Sequence, residues 1–144
     1  MFENSDMNNE APAEIVRQVM TEFLGVSVDI DLYSSGSRTG ASARVDIDGD
    51  WSGAVTVGVT PAMIERITDV MFAGQNGCLP ENQQDALREI SNIIAGNVKT
   101  LLASSARLAI PEYLEAYTLD APCCVASSHD LRGAELWLAI EKAP

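Results

Sequence analysis

The sequence predicts an α+β fold in which helices, one of them long and exposed, pack on a mainly antiparallel β-sheet. Some segments place apolar residues at a spacing of about 3.6, which indicates helices, and others alternate apolar with polar residues, which indicates half-exposed strands. Along the chain these patterns run as one helix, three strands, two helices and further strands. Because the first three strands are joined by short turns, we expect them to form an antiparallel meander.

Hydrophobic spacing places the individual elements. The predicted helices each carry an apolar stripe, and they cover residues 12–24, 61–72 and 82–104. The predicted strands are bounded by turn residues, and they cover residues 26–32, 41–49, 51–59, 123–127 and 134–141. Thr60 before a proline indicates a helix N-cap, and Asn82 with Asp85 three residues later indicates a capping box. Residues 111–122, bounded by two prolines, are predicted to be a connection.

Size and charge favour one globular domain. The chain has 144 residues, of which 47% are hydrophobic, and this suits a single core. We expect residues 1–10 to form a flexible tail and residues 11–144 to form the domain. The acidic start does not resemble a secretory signal, and no apolar run reaches the roughly 18–20 residues of a membrane span, so we expect a cytoplasmic protein. The net charge of −12 argues against nucleic acid and anionic membranes as partners.

Cysteine and histidine are too few for a disulfide framework or a zinc site. The three cysteines are Cys78, Cys123 and Cys124, and adjacent residues of a strand point to opposite faces of the sheet. We therefore expect buried, reduced thiols. The single histidine, His129, follows Ser127 and precedes an aspartate in a turn-like segment. A catalytic triad made of such sequence neighbours fails on geometry, because triad members come together in space.

Two further features of the predicted sheet remain open. Four aspartates form an acidic face that is solvated, is covered by a partner or binds a cation: Asp29, Asp31, Asp46 and Asp48. Trp51 is expected to be a core or interface anchor. Trp137 alternates with Leu136 and Leu138, so it lies on the opposite face and marks a dimer contact or a helix-covered second face.

The long helix has two contrasting sides. A helix turns about 100° per residue, and five apolar residues then form one stripe: Leu87, Ile90, Ile94, Val98 and Leu101. Four residues of another kind follow one line near the opposite pole: Asp85, Glu89, Asn92 and Gly96. Asn is a mediocre helix former and Gly costs about 1 kcal/mol relative to Ala, so helix propensity does not explain this line. A solvated helix face also carries acids and amides, and Gly96 is also explained by close packing against a neighbouring helix.

The segment "EISNIIAGN" resembles the signature of the CheC/CheX/FliY family of chemotaxis phosphatases, in which a Glu and an Asn three residues apart lie on a long exposed helix. Asp85 matches the acidic or serine position that precedes the Glu, and Gly96 matches the glycine that follows the Asn. The motif occurs once, so the chain resembles CheX more than CheC, which carries two such helices. The helix near residues 61–73 has Glu65 and Asp69 but no Glu-x-x-Asn, and we expect it to be non-catalytic.

The resemblance implies a phosphatase that acts on the aspartyl-phosphate of a CheY-like response regulator. It assigns the catalytic positions to Asn92, which would insert and position the attacking water, and to Glu89, which would dock on the regulator's lysine. Asp85 and Gly96 would be docking contacts. Mg²⁺ would be held by the regulator, so no cofactor or metal is expected on this chain. The resemblance also implies a homodimer formed through the sheets.

Two other functions remain open at this point. The chain is alternatively a non-catalytic receiver-docking or scaffold module in two-component signalling, which keeps the helix without efficient turnover. A third alternative is a regulatory partner of another chemotaxis enzyme.

Overall fold

The computed structural model describes residues 10–25, 27–34, 38–72, 79–103, 105–119, 123–128 and 133–144. Within these ranges three helices pack on a seven-stranded sheet, which confirms the α+β class. The helices are α1 (Glu10–Leu24), α2 (Pro61–Met71) and α3 (Pro80–Leu102). The strands are β1 (Val28–Ser34), β2 (Arg38–Gly49), β3 (Gly53–Val59), β4 (Ala106–Leu108), β5 (Glu112–Leu119), β6 (Cys123–Ser128) and β7 (Glu135–Lys142).

The strand order differs from the predicted meander. The order is β1-β6-β7-β3-β2-β4, with β5 also paired with β2, and every pairing is antiparallel. β2 and β3 form the expected hairpin, in which Val45 lies opposite Val55. β1 instead pairs with β6, where Ile30 lies opposite Ala126. The meander was wrong because alternation identifies a strand and its two faces, whereas the neighbouring strand is chosen by long-range pairing.

β4 and β5 occupy the region that was predicted as a connection. β5 runs along β2, with Tyr113 opposite Ala43 and Tyr117 opposite Gly40. Pro111 lies between the two strands, where no sheet hydrogen bond is required of it. The prediction missed these strands because their apolar alternation is weak, and several of their side chains remain exposed at the margin of the sheet.

The helices cover one face of the sheet. The predicted inward residues of β2 and β3 are all buried there: Ala43, Val45, Ile47, Val55, Val57 and Val59. Val16 and Met20 of α1 join this core, whereas Ile15 and Phe23 are only partly buried. α1 ends at Gly25, whose φ of +70° favours glycine. None of the described helices has the combination of length and apolar content that crossing a membrane requires.

Trp137 packs on the other face of the sheet. Its indole lies over Gly58 of β3, where a Cβ atom would stand 2.2 Å from the indole Nε1. The side chain is 1% exposed and clusters with Val125, Ala139 and Tyr117, which are all strand residues. Strands rather than a helix therefore bury Trp137, and a dimer at this face stays a prediction. Trp51 is buried in the main core, which agrees with the expectation of a core anchor.

The four aspartates of the predicted acidic face fall into two separate groups. Asp29 and Asp31 belong to β1, whereas Asp46 and Asp48 belong to β2, and three strands lie between them. Asp46 is also paired with Arg44, whose Nε lies 2.9 Å from the carboxylate. Among the described residues no group of three or more His, Cys, Asp or Glu is placed to hold a metal ion. The four aspartates therefore form two separate pairs on one sheet, because β1 and β2 are not neighbours.

The first turns of α2 and α3 are built differently. Thr60 caps α2 as predicted, because its Oγ1 accepts a hydrogen bond from the Met63 amide at 3.4 Å. α3 begins at Pro80, two residues before the predicted start, and its N-cap is Leu79, which has no side-chain acceptor. The predicted capping box from Asn82 to Asp85 was wrong, because a proline at the first helical position is already suited to start the helix.

Removing the Thr60 hydroxyl is expected to destabilise the protein by about 1–2 kcal/mol. The same oxygen also accepts from the Glu135 amide at 3.0 Å, so it ties α2 to the start of β7. Urea unfolding of Thr60→Ala measures the effect, and Thr100→Ala, which removes an exposed hydroxyl on α3, is the matched control. A loss no greater than that of Thr100→Ala would contradict the assignment.

Candidate functional site

α3 carries the predicted site on the side that faces away from the core. Its inner stripe is fully buried against α1, α2 and β2: Leu87, Ile90, Ile94 and Val98. Leu101, predicted to continue this stripe, is 46% exposed, and Leu102 is buried in its place. The buried arc therefore runs slightly further round the helix than predicted, so that Ser91 and Ala95 are also fully buried.

The four predicted site residues lie along one side of α3. The helix is uninterrupted over 23 residues, so their spacing along it is that of consecutive turns. Asp85, Glu89 and Asn92 are exposed, and Gly96 is half-buried. The structure thus presents a carboxylate and an amide, one turn apart, to any molecule that approaches this side.

Glu89 and Asn92 have unoccupied polar groups. Within the described part of the chain, neither side chain makes a hydrogen bond or an ion pair. Asp85 differs, because its Oδ1 lies 3.5 Å from the Nη1 of Arg88 in an exposed i, i+3 pair. Among the described residues, therefore, no hydrogen bond or ion pair has to be broken before the Glu89 carboxylate and the Asn92 amide contact an external partner.

Gly96 is not required by the packing of the fold. Among the described residues, a Cβ atom at this position would meet only Leu108 Cδ1, at 3.8 Å, which is an ordinary van der Waals contact. Leu108 belongs to β4, so the neighbour of Gly96 is a strand and not the helix that one interpretation of the sequence expected. Since Gly disfavours the helix and relieves no clash with the described residues, packing within this part of the chain does not explain its presence.

Arg88 is a neighbour of these residues that no motif in the sequence indicates. It lies one turn before Asn92, and its guanidinium carbon is 5.8 Å from the centroid of the Tyr113 ring on β5. Burial and the nearby Glu115 raise the pKa of Tyr113 against the opposing effect of Arg88, so the phenol stays neutral at physiological pH. The cation–π contact, worth on the order of 0.5–1 kcal/mol at a partly exposed site, helps to hold α3 against β5.

A depression of about 490 Å³, lined by both apolar and acidic side chains, lies beside the acidic end of this line. Its lining comes from the ends of α1 and α2 and from the second and third turns of α3: Phe23, Met71, Phe72, Asp85, Ala86 and Glu89. Helical periodicity assigned such apolar residues to the core, and it could not show that three helices leave a gap between them. We call this depression the acidic-rimmed groove.

The other candidate residues are either exposed on α2 or lie outside the described part of the chain. Glu65 and Asp69 are exposed on α2, which carries no equivalent of Asn92. His129 lies outside the described residues, as does Cys78. The predictions for the side chains of Ser127, Cys123 and Cys124 also lie outside the described part of the chain, although the backbones of these residues are in β6.

The sequence of this chain matches a known protein family. The family model described as "Chemotaxis phosphatase CheX" matches residues 41–128, which include all of α3 and amount to more than half of the chain. No curated protein sequence matches at a significant level.

Solved structures share the fold. CheX from Desulfovibrio desulfuricans is 15% identical with a TM-score of 0.77, over 93% of this chain and 97% of that chain. A CheC-like protein from Shewanella sp. PV-4 is 16% identical with a TM-score of 0.77, over 99% of this chain and 100% of that chain. The CheX–CheY–BeF3–Mg²⁺ complex from Borrelia burgdorferi matches at 18% identity with a TM-score of 0.73, over 94% of this chain and 97% of that chain. With the family match over the segment that contains the site, this chain belongs to the CheX family of chemotaxis phosphatases.

Proposed function

We propose that this protein dephosphorylates the aspartyl-phosphate of a CheY-like response regulator. The observation that carries the proposal is the exposed pair of Glu89 and Asn92 on α3, in a chain of the CheX family. The two side chains are one turn apart, and neither makes a hydrogen bond or an ion pair in the part of the chain that the structure describes. The similar Borrelia burgdorferi CheX forms a complex with CheY, BeF3 and Mg²⁺, which supports a receiver domain as the partner.

Asn92 would position the water that attacks phosphorus. A neutral amide can accept a hydrogen bond from water through its oxygen and donate one to a phosphoryl oxygen through its nitrogen. Phosphoryl transfer depends mainly on positioning and on charge stabilisation, so a residue that holds water in line accelerates hydrolysis without acting as a base. A carboxylate at this position would repel the phosphoryl oxygens. The regulator would supply the Mg²⁺, and this chain would bind none.

Glu89 would fix the register of the two proteins by pairing with a lysine of the regulator. An exposed ion pair contributes at most about 1 kcal/mol. A pair that is desolvated in an interface is measured at several times this value when one partner is removed. Asp85 and Gly96 would be contacts at the rim, and the small Gly96 would let the regulator approach α3 closely.

Gly96→Ala is expected to have opposite effects on stability and docking. The free protein should gain up to about 1 kcal/mol, because Ala favours the helix and its methyl fits beside Leu108. The affinity for the regulator should fall about fivefold, because the methyl adds bulk to the docking surface. Thermal unfolding and a binding titration measure the two effects. Normal affinity in the stabilised variant would remove Gly96 from the interface.

Phosphate release from phosphorylated receivers of the same genome, with and without this protein, tests the proposed function. A phosphatase accelerates release catalytically, at protein concentrations far below that of the receiver. A docking or scaffold module would bind the receiver at comparable affinity and leave the rate unchanged or lower. Light scattering of the same samples tests the predicted homodimer.

A further inference from the structure

We propose that the acidic-rimmed groove receives an apolar side chain of the regulator that stands next to the lysine paired with Glu89. This inference rests on the proposed function and adds a second anchor to it. The regulator segment recognised by α3 would then be a cationic residue flanked by an aliphatic or aromatic one.

The groove is formed where three helices end or begin. Phe23 lies in the last turn of α1, Met71 is the last residue of α2, and Phe72 is its C-cap. All three are only partly buried, so apolar surface remains accessible between them. The floor includes Ala86, a small buried residue of α3. A volume of about 490 Å³ is sufficient for one large side chain and part of the backbone that carries it.

The charge at the rim selects the kind of occupant. Asp85 and Glu89 are both exposed where they line the groove, and Glu89 has no ion pair among the described residues. An apolar group that arrives with a positive charge is attracted, whereas an acidic segment is repelled. A second copy of this chain, with its net charge of −12, is a poor fit for the same reason.

The position of the groove on α3 explains what a second anchor would do. Ala86 lies one turn before Glu89 and Asn92 lies one turn after it, so Glu89 forms the edge of the groove that is nearest to the Asn92 amide. The distance along the helix from Ala86 to Asn92 is about 9 Å. An apolar anchor and an ion pair on adjacent turns constrain both the position and the rotation of the regulator, and this orients Asn92 toward the phosphoryl group.

Methyl NMR of the wild-type protein tests occupancy of the groove. The probe is the Cε methyl of Met71, observed while a receiver that carries BeF3 as a mimic of the phosphoryl group, together with Mg²⁺, is added. We expect the Met71 signal to shift as receiver is added, and the shift to saturate at one receiver per chain. The methyl of Met63, which is fully buried in the core, is the internal control and should keep its position. An unchanged Met71 signal in a saturated complex would overturn the proposal.

Two variants measure the contribution of the groove to binding. Met71→Ala and Phe72→Ala should each raise the Kd for the receiver about tenfold. Val70→Ala is the matched control, because Val70 is 44% exposed on the same helix and does not line the groove. Thermal unfolding identifies any variant that is not folded. Folded groove variants that bind the receiver with the wild-type Kd would overturn the proposed role of the groove.

The remaining outcomes separate this inference from the function on which it rests. If Asn92→Ala loses turnover while the groove variants bind normally, the groove is overturned and the phosphatase stands. If the wild-type protein neither binds nor dephosphorylates a receiver, both are overturned. A Met71 signal that shifts on deletion of residues 1–9, or on dilution of the free protein, would assign the groove to the chain's own N-terminus or to a second copy, against the proposal.

Discussion

Asn92→Ala is expected to lower the receiver dephosphorylation rate at saturation by about 100-fold or more, while the Kd for the receiver stays within about twofold. The reason is that the amide would place the attacking water, and loss of positioning of this kind costs on the order of 10²-fold in rate. Stopped-flow or phosphate-release kinetics at several receiver concentrations separate kcat from affinity.

The structure offers a close control for this change. Asn97→Ala makes the same substitution on the same helix, but Asn97 lies on another side, where its Nδ2 donates to the Ile93 carbonyl at 2.9 Å. Because Ala is a better helix former than Asn, neither variant should lose stability through helix propensity. Equal rates for wild type and Asn92→Ala would refute the role of the amide, and equal losses in both variants would assign the effect to the helix as a whole.

Glu89→Lys is expected to raise the Kd for the receiver by about 100-fold, which is the largest effect on affinity that we predict. The substitution removes the partner of the regulator's lysine and places two positive charges together in the interface. The wild-type Kd should also rise with ionic strength, because salt screens the attraction, and this dependence should weaken in the variant. Surface plasmon resonance with phosphorylated receiver measures both quantities.

Glu65→Lys is the control for a nonspecific effect of charge, because it makes the same charge reversal at an exposed position of α2. Replacing the regulator's lysine by glutamate should partly restore binding to Glu89→Lys, since the pair is then reversed. Weakening of similar size in Glu65→Lys would indicate a general field of the acidic chain, with its net charge of −12, in place of a specific pair. Failure of the reversed pair to bind would argue against a direct contact.

The site is well specified by local sequence. Asp85, Glu89, Asn92 and Gly96 share a side of α3 because a regular helix of this length places residues three and four apart on consecutive turns. The buried stripe that contains Leu87 sets which side remains for solvent. Period and composition were therefore sufficient to predict which groups face outward, and the role of each group stays a proposal that the variants above test.

Local sequence was less informative where two distant segments meet. The pairing of β1 with β6 joins residues about 100 positions apart, such as Val28 and Ser128. β5 was missed because an edge strand needs only one bonded neighbour and a weak apolar pattern, and its partner β2 supplies the rest. Arg88 and Tyr113 likewise come together only because β5 lies beside α3.

The sequence by itself determined the class of fold, the cap at Thr60, and the exposed line of Glu89 and Asn92, because these depend on spacing within one element. The tertiary structure alone decided the strand order, the burial of Trp137 over Gly58, and the groove between Phe23 and Phe72. These features depend on contacts between residues that are far apart in the sequence. Packing and burial supply the free energy that selects these contacts, and a local sequence pattern does not contain this information.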